Sequence, residues 1–383
     1  MKLLYIANQR IPTEKAYGRQ IAKMCESFAD LGIEVELIAP VRKSMLIEDL
    51  FSYYSIKRNF KFTKIMSPDW YWPGYLDRLA FGIKNLISAR RLARYALGSS
   101  YQVIYSRDEL PVYFLSSRGK HCIYEAHKFS KLFNVIFRSQ FKKIDLKIIA
   151  ISHGLGNEFI KAGFNQENIL IAPDGVDEVK IREQETNPIS KEEARNRLGL
   201  PLDRKILVYT GSFYKWKGIY ILADAAKMLE KEALIVMVGG NNDLDQRRFE
   251  DYLKRENIKN IKITGFIKEG KIRDDYRLAA DALILPNTSK EKISEVYTSP
   301  LKLFSYMALR RPIVASDLPS IREVLNEENA VLVKPDSPRE LADGARKVIA
   351  DQQLALRISN NAFTNAHDYT WQKRAQNILK FML

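Results

Sequence analysis

Two short stretches in the second half of the chain each place a lysine near the start of a helix that follows a strand. The first is Thr210-Gly211-Ser212-Phe213-Tyr214-Lys215-Trp216-Lys217-Gly218, which follows a strand-like run at Lys205–Thr210. Unpaired N–H groups at a helix start, with the positive end of the helix dipole, form an anion site. Lys217 would add a full positive charge there, against a diphosphate. The same residues also suit a plain strand-to-helix turn with a solvated lysine, because glycine-bearing turns are common. The second stretch is Tyr297-Thr298-Ser299-Pro300-Leu301-Lys302-Leu303-Phe304-Ser305-Tyr306-Met307-Ala308. Ser299 reads as its N-cap and Pro300 as the first helical residue. A 13-residue loop, 287–299, separates the strand that ends at Pro286 from Pro300, long enough to suggest a function. Lys302 sits in the first turn, where the dipole disfavours a cation, so it is either drawn to a bound anion or solvated.

In the first half, Glu125-Ala126-His127 lies just beyond a strand. His127 could contact a sugar hydroxyl or stabilise charge at a reacting carbon, although a lone histidine is more often structural. Asp174-Gly175-Val176-Asp177 reads as a turn between domains.

The elements that must carry these residues are those of an α/β protein. Residues 2–7 read as a strand and 9–18 as a loop. Ile21, Met24, Phe28 and Leu31 have helical spacing, Gly32 ends that helix, and 34–39 alternate as a second strand. This is a βαβ unit, the seed of a parallel sheet. Further strands are expected at 103–105, 121–125, 147–152 and 169–172. After Pro201 the alternation restarts, with strands at 205–210, 233–238, 261–265, 282–286 and 312–315. The helices between and after them are expected at 218–229, 246–256, 272–280, 300–308 and 338–350. Residues 178–201, rich in Glu, Lys and Asn, read as an exposed connection. A chain of 383 residues exceeds what one core serves well.

Apolar residues make up 46% and charged residues 28%, an ordinary globular balance. Cys25 and Cys122 offer no disulfide framework and no metal-ligand spacing, and they fit a reducing compartment. The first residues run into a strand pattern without a cleavage site, and no apolar run is long enough to span a bilayer. A cytoplasmic protein, soluble or peripheral on the inner membrane face, is expected. The formal net charge is +15, and it is uneven: residues 51–147 carry 18 Lys and Arg against 6 Asp and Glu. Such an excess suggests an anionic partner.

Together these stretches resemble the retaining glycosyltransferases of family 4, also called group 1, which have the GT-B fold. The similarity spans the whole chain. Ile11-Pro12-Thr13-Glu14-Lys15-Ala16-Tyr17-Gly18 looks like an acceptor-side loop, and Glu125-Ala126-His127 like the family's acidic-x-His segment. Ala172-Pro173-Asp174-Gly175-Val176-Asp177 resembles its inter-domain linker, with Asp174 in place of the usual Asn. The most specific match runs from Ser299 to Ala308 and on through Arg311-Pro312-Ile313-Val314-Ala315-Ser316-Asp317-Leu318-Pro319. Tyr369-Thr370-Trp371 resembles the start of a final helix that crosses back.

The resemblance implies two facing Rossmann-like domains with a cleft between them. An acceptor domain would span 1–177, joined by a returning C-terminal helix at 366–383, and a nucleotide-sugar domain would span 178–365. Lys15, Tyr17 and Gly18 would lie on the acceptor side. His127 and Lys217 would be catalytic, His127 reaching toward the donor sugar and Lys217 neutralising the leaving diphosphate. Gly211, Ser212, Lys215, Tyr297, Thr298, Ser299, Pro300, Leu301, Lys302 and Ser305 would bind the donor. The nucleotide sugar is then a substrate, and neither cofactor nor metal is expected. Three positions depart from the family pattern: Ser305 and Tyr297 replace two Glu, and Ser212 replaces an Arg that many members place on the diphosphate.

Residues 51–98 combine Phe51, Tyr53, Tyr54, Phe60, Phe62, Trp70, Tyr71, Trp72 and Tyr75 with Lys84, Arg90, Arg91 and Arg94. Basic charge beside interfacial aromatics suits an anionic membrane carrying a lipid-linked acceptor. The aromatics equally suit an acceptor cleft or a core. No nucleic-acid-binding module is recognisable, so nucleic acid is not expected as a partner. The leading expectation is a glycosyltransferase using a UDP- or GDP-sugar to extend a glycan or lipid-linked acceptor, in cell-surface polysaccharide or glycolipid synthesis. The alternative is a non-catalytic GT-B sugar-binding or scaffold protein. A dinucleotide oxidoreductase is disfavoured, because no G-x-G-x-x-G follows the first strand.

Overall fold

The computed structural model describes every residue except 44, 45, 47, 73, 75, 131, 132, 241–243 and 269; Tyr75 of the aromatic stretch therefore lies outside the described residues. The chain divides into two compact units, one of Met1–Pro173 with Trp371–Leu383, the other of Asp174–Thr370.

The first unit is built on a seven-stranded parallel sheet: β1 (Lys2–Ile6), β2 (Glu34–Pro40), β3 (Lys61–Ile65), β4 (Val103–Ser106), β5 (Cys122–Ala126), β6 (Lys147–Ala150) and β7 (Ile169–Ile171). Their order is β3-β2-β1-β4-β5-β6-β7. Leu3 to Ile6 are fully buried, as expected of a central parallel strand covered on both faces. The helix joining β1 to β2 spans Ala16–Asp30 and buries Ile21, Met24, Cys25 and Phe28. It begins five residues before the apolar periodicity does, because its first turn packs through backbone. The Tyr54 hydroxyl donates to the Thr13 carbonyl and accepts from the Thr13 N–H, each at 2.8 Å. A Cβ on Gly18 would lie 2.0 Å from that hydroxyl.

Strand β3 has no clear pattern in the sequence, since Lys61 and Lys64 interrupt it. It forms at the sheet edge, where Lys61 Nζ lies 3.0 Å from Glu36 Oε1. The basic segment becomes a 22-residue helix, Leu76–Leu97, burying Ala80, Lys84, Ser88 and Leu92 at helical spacing. The C-terminal helix, Trp371–Met382, belongs to this unit and buries Trp371, Ala375, Ile378 and Met382. The helix before it, Gln352–Ala366, belongs to the second unit.

The second unit has a six-stranded parallel sheet: β8 (Lys205–Thr210), β9 (Ala233–Val238), β10 (Ile261–Gly265), β11 (Ala282–Leu285), β12 (Ile313–Ser316) and β13 (Val331–Val333). Its order is β10-β9-β8-β11-β12-β13. One expectation fails here. Residues 178–201 are not an exposed connection but two helices, Glu178–Thr186 and Lys191–Leu198. Ile181, Ala194 and Leu200 enter the core, and buried Arg195 pairs with Asp281. Polar composition hid a helix start that Ser190 and Glu193 spell out, the Ser190 hydroxyl accepting from Glu193 N at 3.0 Å.

Candidate active site

Ligands of open α/β sheets gather where strand order reverses, beyond the C-terminal strand ends. In the second unit that place lies between β8 and β11, and both lysine stretches follow these two strands. After β8 come Gly211, a short helical turn Lys215–Lys217, Gly218 and the helix Ile219–Met228. Gly218 has φ +73°, and a Cβ there would fall 1.5 Å from the Pro286 carbonyl oxygen. Only glycine lets the loop after β8 meet the loop after β11 so closely. Thr288 N–H also donates to Trp216 O at 3.3 Å.

The helix carrying Lys302 is tied to the same spot. It spans Leu301–Met307, and its Tyr306 hydroxyl accepts from Thr210 N at 2.8 Å, at the end of β8. Lys302 Nζ is buried, lies 4.0 Å from the Tyr209 ring centroid, and has no hydrogen-bond partner among the described residues. Lys217 Nζ is on the same side of β8: the point a Gly211 Cβ would occupy is 3.8 Å from Lys217 Nζ and 3.2 Å from the Tyr209 hydroxyl. Burial, and then the nearby Arg273 guanidinium, depress the Lys217 ammonium to about 8. Burial, and then Lys217, push Lys302 well below the ordinary lysine range. Three cations therefore converge on the C-terminal edge of this sheet, the environment a polyanion would relieve. Arg273, on the helix Lys271–Leu278, carries no sequence signal: one arginine in a charged amphipathic helix looks like any other.

Other expected donor residues fall into different settings. The Ser299 N-cap expectation is wrong. Pro300 is the cap residue and Leu301 the first helical residue, while the Ser299 hydroxyl accepts from Asp174 N at 2.9 Å. Thr298 and Pro300 are both extended, which turns Ser299 away from the helix start. Tyr297 ends a short helical turn, Ile293–Tyr297, inside the long loop. Ser305 donates to Leu301 O at 3.1 Å, one turn back in its own helix. Ser212 contributes its carbonyl to the Tyr209 hydroxyl at 2.8 Å. Lys215 is exposed and lines a cavity of about 360 Å³ with Phe213, Tyr220, Asp245, Arg248 and Tyr252.

In the first unit the strand order reverses between β1 and β4. Asp108, just after β4, accepts from Asn8 N at 2.6 Å and from Gln9 Nε2 at 3.1 Å, fixing the loop after β1. On that loop Arg10 pairs with Glu14, the Tyr17 hydroxyl donates to Arg10 O at 3.5 Å, and Lys15 is exposed.

His127 follows β5, one strand further out. Its Nε2 lies 2.7 Å from Glu125 Oε1. That carboxylate is fully buried and also accepts from Gln20 at 2.6 Å, Arg374 at 3.1 Å and the Tyr105 hydroxyl. Burial alone would raise the Glu125 pKa, but Arg374 and the His127 hydrogen bond hold it below the usual carboxylate range. Burial, and then Arg107, lower His127 to about 4. At neutral pH the ring is uncharged. The nitrogen facing the carboxylate carries the proton, leaving Nδ1 as an acceptor. Gln20, Tyr105, Arg107 and Arg374 have no motif linking them to His127, so sequence reasoning misses this shell.

Among the described residues, no three His, Cys, Asp or Glu side chains gather as a metal site, and no helix is long and apolar enough to cross a membrane. Two parallel-sheet Rossmann-like units, the second with a cationic switch point, define the class of GT-B proteins. Solved structures of that class superpose on the whole chain. That of Anabaena HepE in complex with UDP and glucose matches with TM-score 0.75, 18% identity and coverage of 99% of this chain and 98% of that one. A glycosyltransferase from Rickettsia africae matches with TM-score 0.77 and 14% identity, covering 100% and 97%. Residues 190–365 match the family Glycosyl transferases group 1. A Bacillus subtilis protein named as a teichuronic acid biosynthesis glycosyltransferase, TuaC, is 25% identical over 388 residues, covering 95% of this chain and 93% of its own. The second unit thus matches the group 1 glycosyltransferases, and the chain along its length is similar to a protein named as a glycosyltransferase.

Proposed function

We propose that this protein is a retaining glycosyltransferase that takes a sugar from a nucleotide diphosphate and places it on a glycan or lipid-linked acceptor. The observation that carries the reading is the pair Lys217 and Lys302, both desolvated at one switch point, Lys302 without a hydrogen-bond partner. Holding two cations there costs stability unless an anion arrives. A pyrophosphate between two sugars or a sugar and a nucleoside is an anion of the right charge. The UDP bound in HepE and the polymer named for TuaC favour a UDP-sugar and cell-surface polysaccharide synthesis.

In this reading the second unit holds the donor. The bond from the anomeric carbon to the diphosphate oxygen breaks while the acceptor oxygen bonds the same face of that carbon. The acceptor proton passes to the departing phosphate. Lys217 and Lys302, with Arg273 nearby, stabilise the charge that develops on the phosphate, so the protein acts through orientation and electrostatics. Such a mechanism needs no carboxylate pair, unlike a retaining glycosidase. The first unit presents the acceptor through Lys15 and the first helical turn bearing Tyr17 and Gly18, and the neutral His127 is its candidate for contact with substrate hydroxyls.

Lys217→Ala is the direct test. Binding of UDP or GDP, measured by calorimetry, should weaken about tenfold to a hundredfold, as expected for loss of a charged contact. Unchanged affinity and turnover would remove the phosphate role. A second reading, a protein that binds nucleotide sugars without transferring them, is favoured by Ser305 and Tyr297 where the family carries Glu. Release of free nucleotide from UDP- or GDP-sugars in the presence of acceptor extracts decides between the two.

A further inference from the structure

Outside the two switch points, the first unit carries large apolar side chains in water where a folded core would take them. Between residues 66 and 83, Met66, Trp70, Tyr71, Trp72, Leu76, Leu79, Phe81 and Ile83 are all exposed, Met66 by 71%, Tyr71 by 63% and Leu79 by 60%. The segment is nonetheless held in place. Lys84 Nζ lies 3.4 Å from both Asp69 Oδ1 and the Trp70 carbonyl oxygen, Arg91 donates to Met66 O at 2.9 Å, and Arg42 donates to the Pro68 carbonyl. The Lys84 ammonium also lies 3.9 Å from the Tyr71 ring centroid and 6.0 Å from that of Phe81, so loop and helix aromatics flank one buried cation. Loop 66–72 is thus fixed through its carbonyls and the Asp69 carboxylate, while Met66, Trp70, Tyr71 and Trp72 remain exposed.

The helix Leu76–Leu97 extends this surface. Leu76, Leu79, Ile83, Arg90 and Arg94 are exposed, and their spacing puts them on one stripe. The stripe is apolar in its first two turns and cationic further on. The helix carries Arg78, Lys84, Arg90, Arg91 and Arg94 against a single acid, Asp77. Anchored Trp and Tyr beside an apolar stripe flanked by arginines is the composition of a bilayer interface. Charge decides the occupant. A second copy would bring the same surplus of arginines with no acid on this helix but Asp77 to pair them, whereas anionic headgroups complement them.

We propose that the face formed by residues 66–72 and the helix Leu76–Leu97 docks on an anionic lipid bilayer. The proposal stands on the first unit alone and does not depend on the donor reading. Membrane recruitment would bring the protein to the surface where lipid-linked acceptors reside.

Vesicle flotation of the full chain tests it, using phosphatidylcholine alone and phosphatidylcholine mixed two to one with phosphatidylglycerol. The protein should float with the anionic vesicles only, with a blue shift of tryptophan emission, and should be released as salt rises. Leu79→Glu with Ile83→Glu, and separately Arg90→Glu with Arg94→Glu, should each weaken binding by roughly tenfold or more. All four side chains are exposed, so unchanged circular dichroism and melting temperature would show that the fold is intact. Failure to float with anionic vesicles would overturn the proposal, as would wild-type binding by both variants. Sedimentation showing a dimer that Leu79→Glu with Ile83→Glu dissolves would give the face to a second copy instead.

Discussion

Arg374 and Glu125 are 249 residues apart in the chain and 3.1 Å apart in the fold. The same guanidinium donates to Ala172 O and, at 2.9 Å, to Pro173 O, the last residues before the chain leaves the first unit. One side chain of the C-terminal helix thus ties the departing strand to the carboxylate that holds His127.

Arg374→Ala would leave Glu125 buried without its main counter-charge. Breaking a buried pair in this way costs about 3–5 kcal/mol. Urea unfolding should show a loss of that size, and a loss below about 1 kcal/mol would mean that Glu125 is held by its other donors.

Acid should weaken the same network. His127 titrates near 4 in the fold against 6.5 in a free chain, so between those values the unfolded state binds more protons. Stability contributed by the neutral ring is therefore present above 6.5 and lost as pH falls to 4. Glu125, lowered from 4.5, loses its contribution further into acid. Melting temperature measured from pH 7 to 4 should fall less for His127→Gln than for the wild type. Parallel curves would show that the histidine does not titrate in this way.

Lys302 should trade stability for binding. A buried amino group without a hydrogen-bond partner costs about 1–3 kcal/mol or more, so Lys302→Met should raise stability at neutral pH while weakening UDP or GDP binding. A variant both less stable and fully able to bind nucleotide would contradict the placement of this side chain.

Nucleotide affinity should fall as pH rises through 8, because Lys217 loses its proton near that value and only the charged form attracts phosphate. Binding near pH 8 should then take up protons. Calorimetry in two buffers of different ionisation enthalpy reads that uptake directly, and identical heats in both would rule out the linkage.

Ser305→Glu places on the helix that bears Lys302 the carboxylate that the resemblance to family 4 leads one to expect there. The wild-type hydroxyl is occupied with Leu301 O. A carboxylate reaching a ribose diol should tighten donor binding by about 1–3 kcal/mol. No gain in affinity by calorimetry would mean that the position points away from the sugar.

Local order was legible in the residues themselves. Apolar runs marked most strands, and their alternation with helices implied two parallel sheets. Gly218 and the two lysine stretches followed the strands that border the second switch point. Those features depend on spacing and on backbone conformations that only certain residues adopt, so they can be read along the chain. Burial and long-range pairing cannot. The helices at 178–186 and 191–198 are held to the core by Ile181 and Ala194, and the second also by Arg195 pairing with Asp281 across 86 residues. Ser299 left its helix to accept from Asp174, and Arg273 joined the lysines from another helix. His127 lost its charge because Gln20, Arg107, Tyr105 and Arg374 gathered around Glu125. Desolvation is set by everything that surrounds a group, so the charge state of both sites belongs to the tertiary structure.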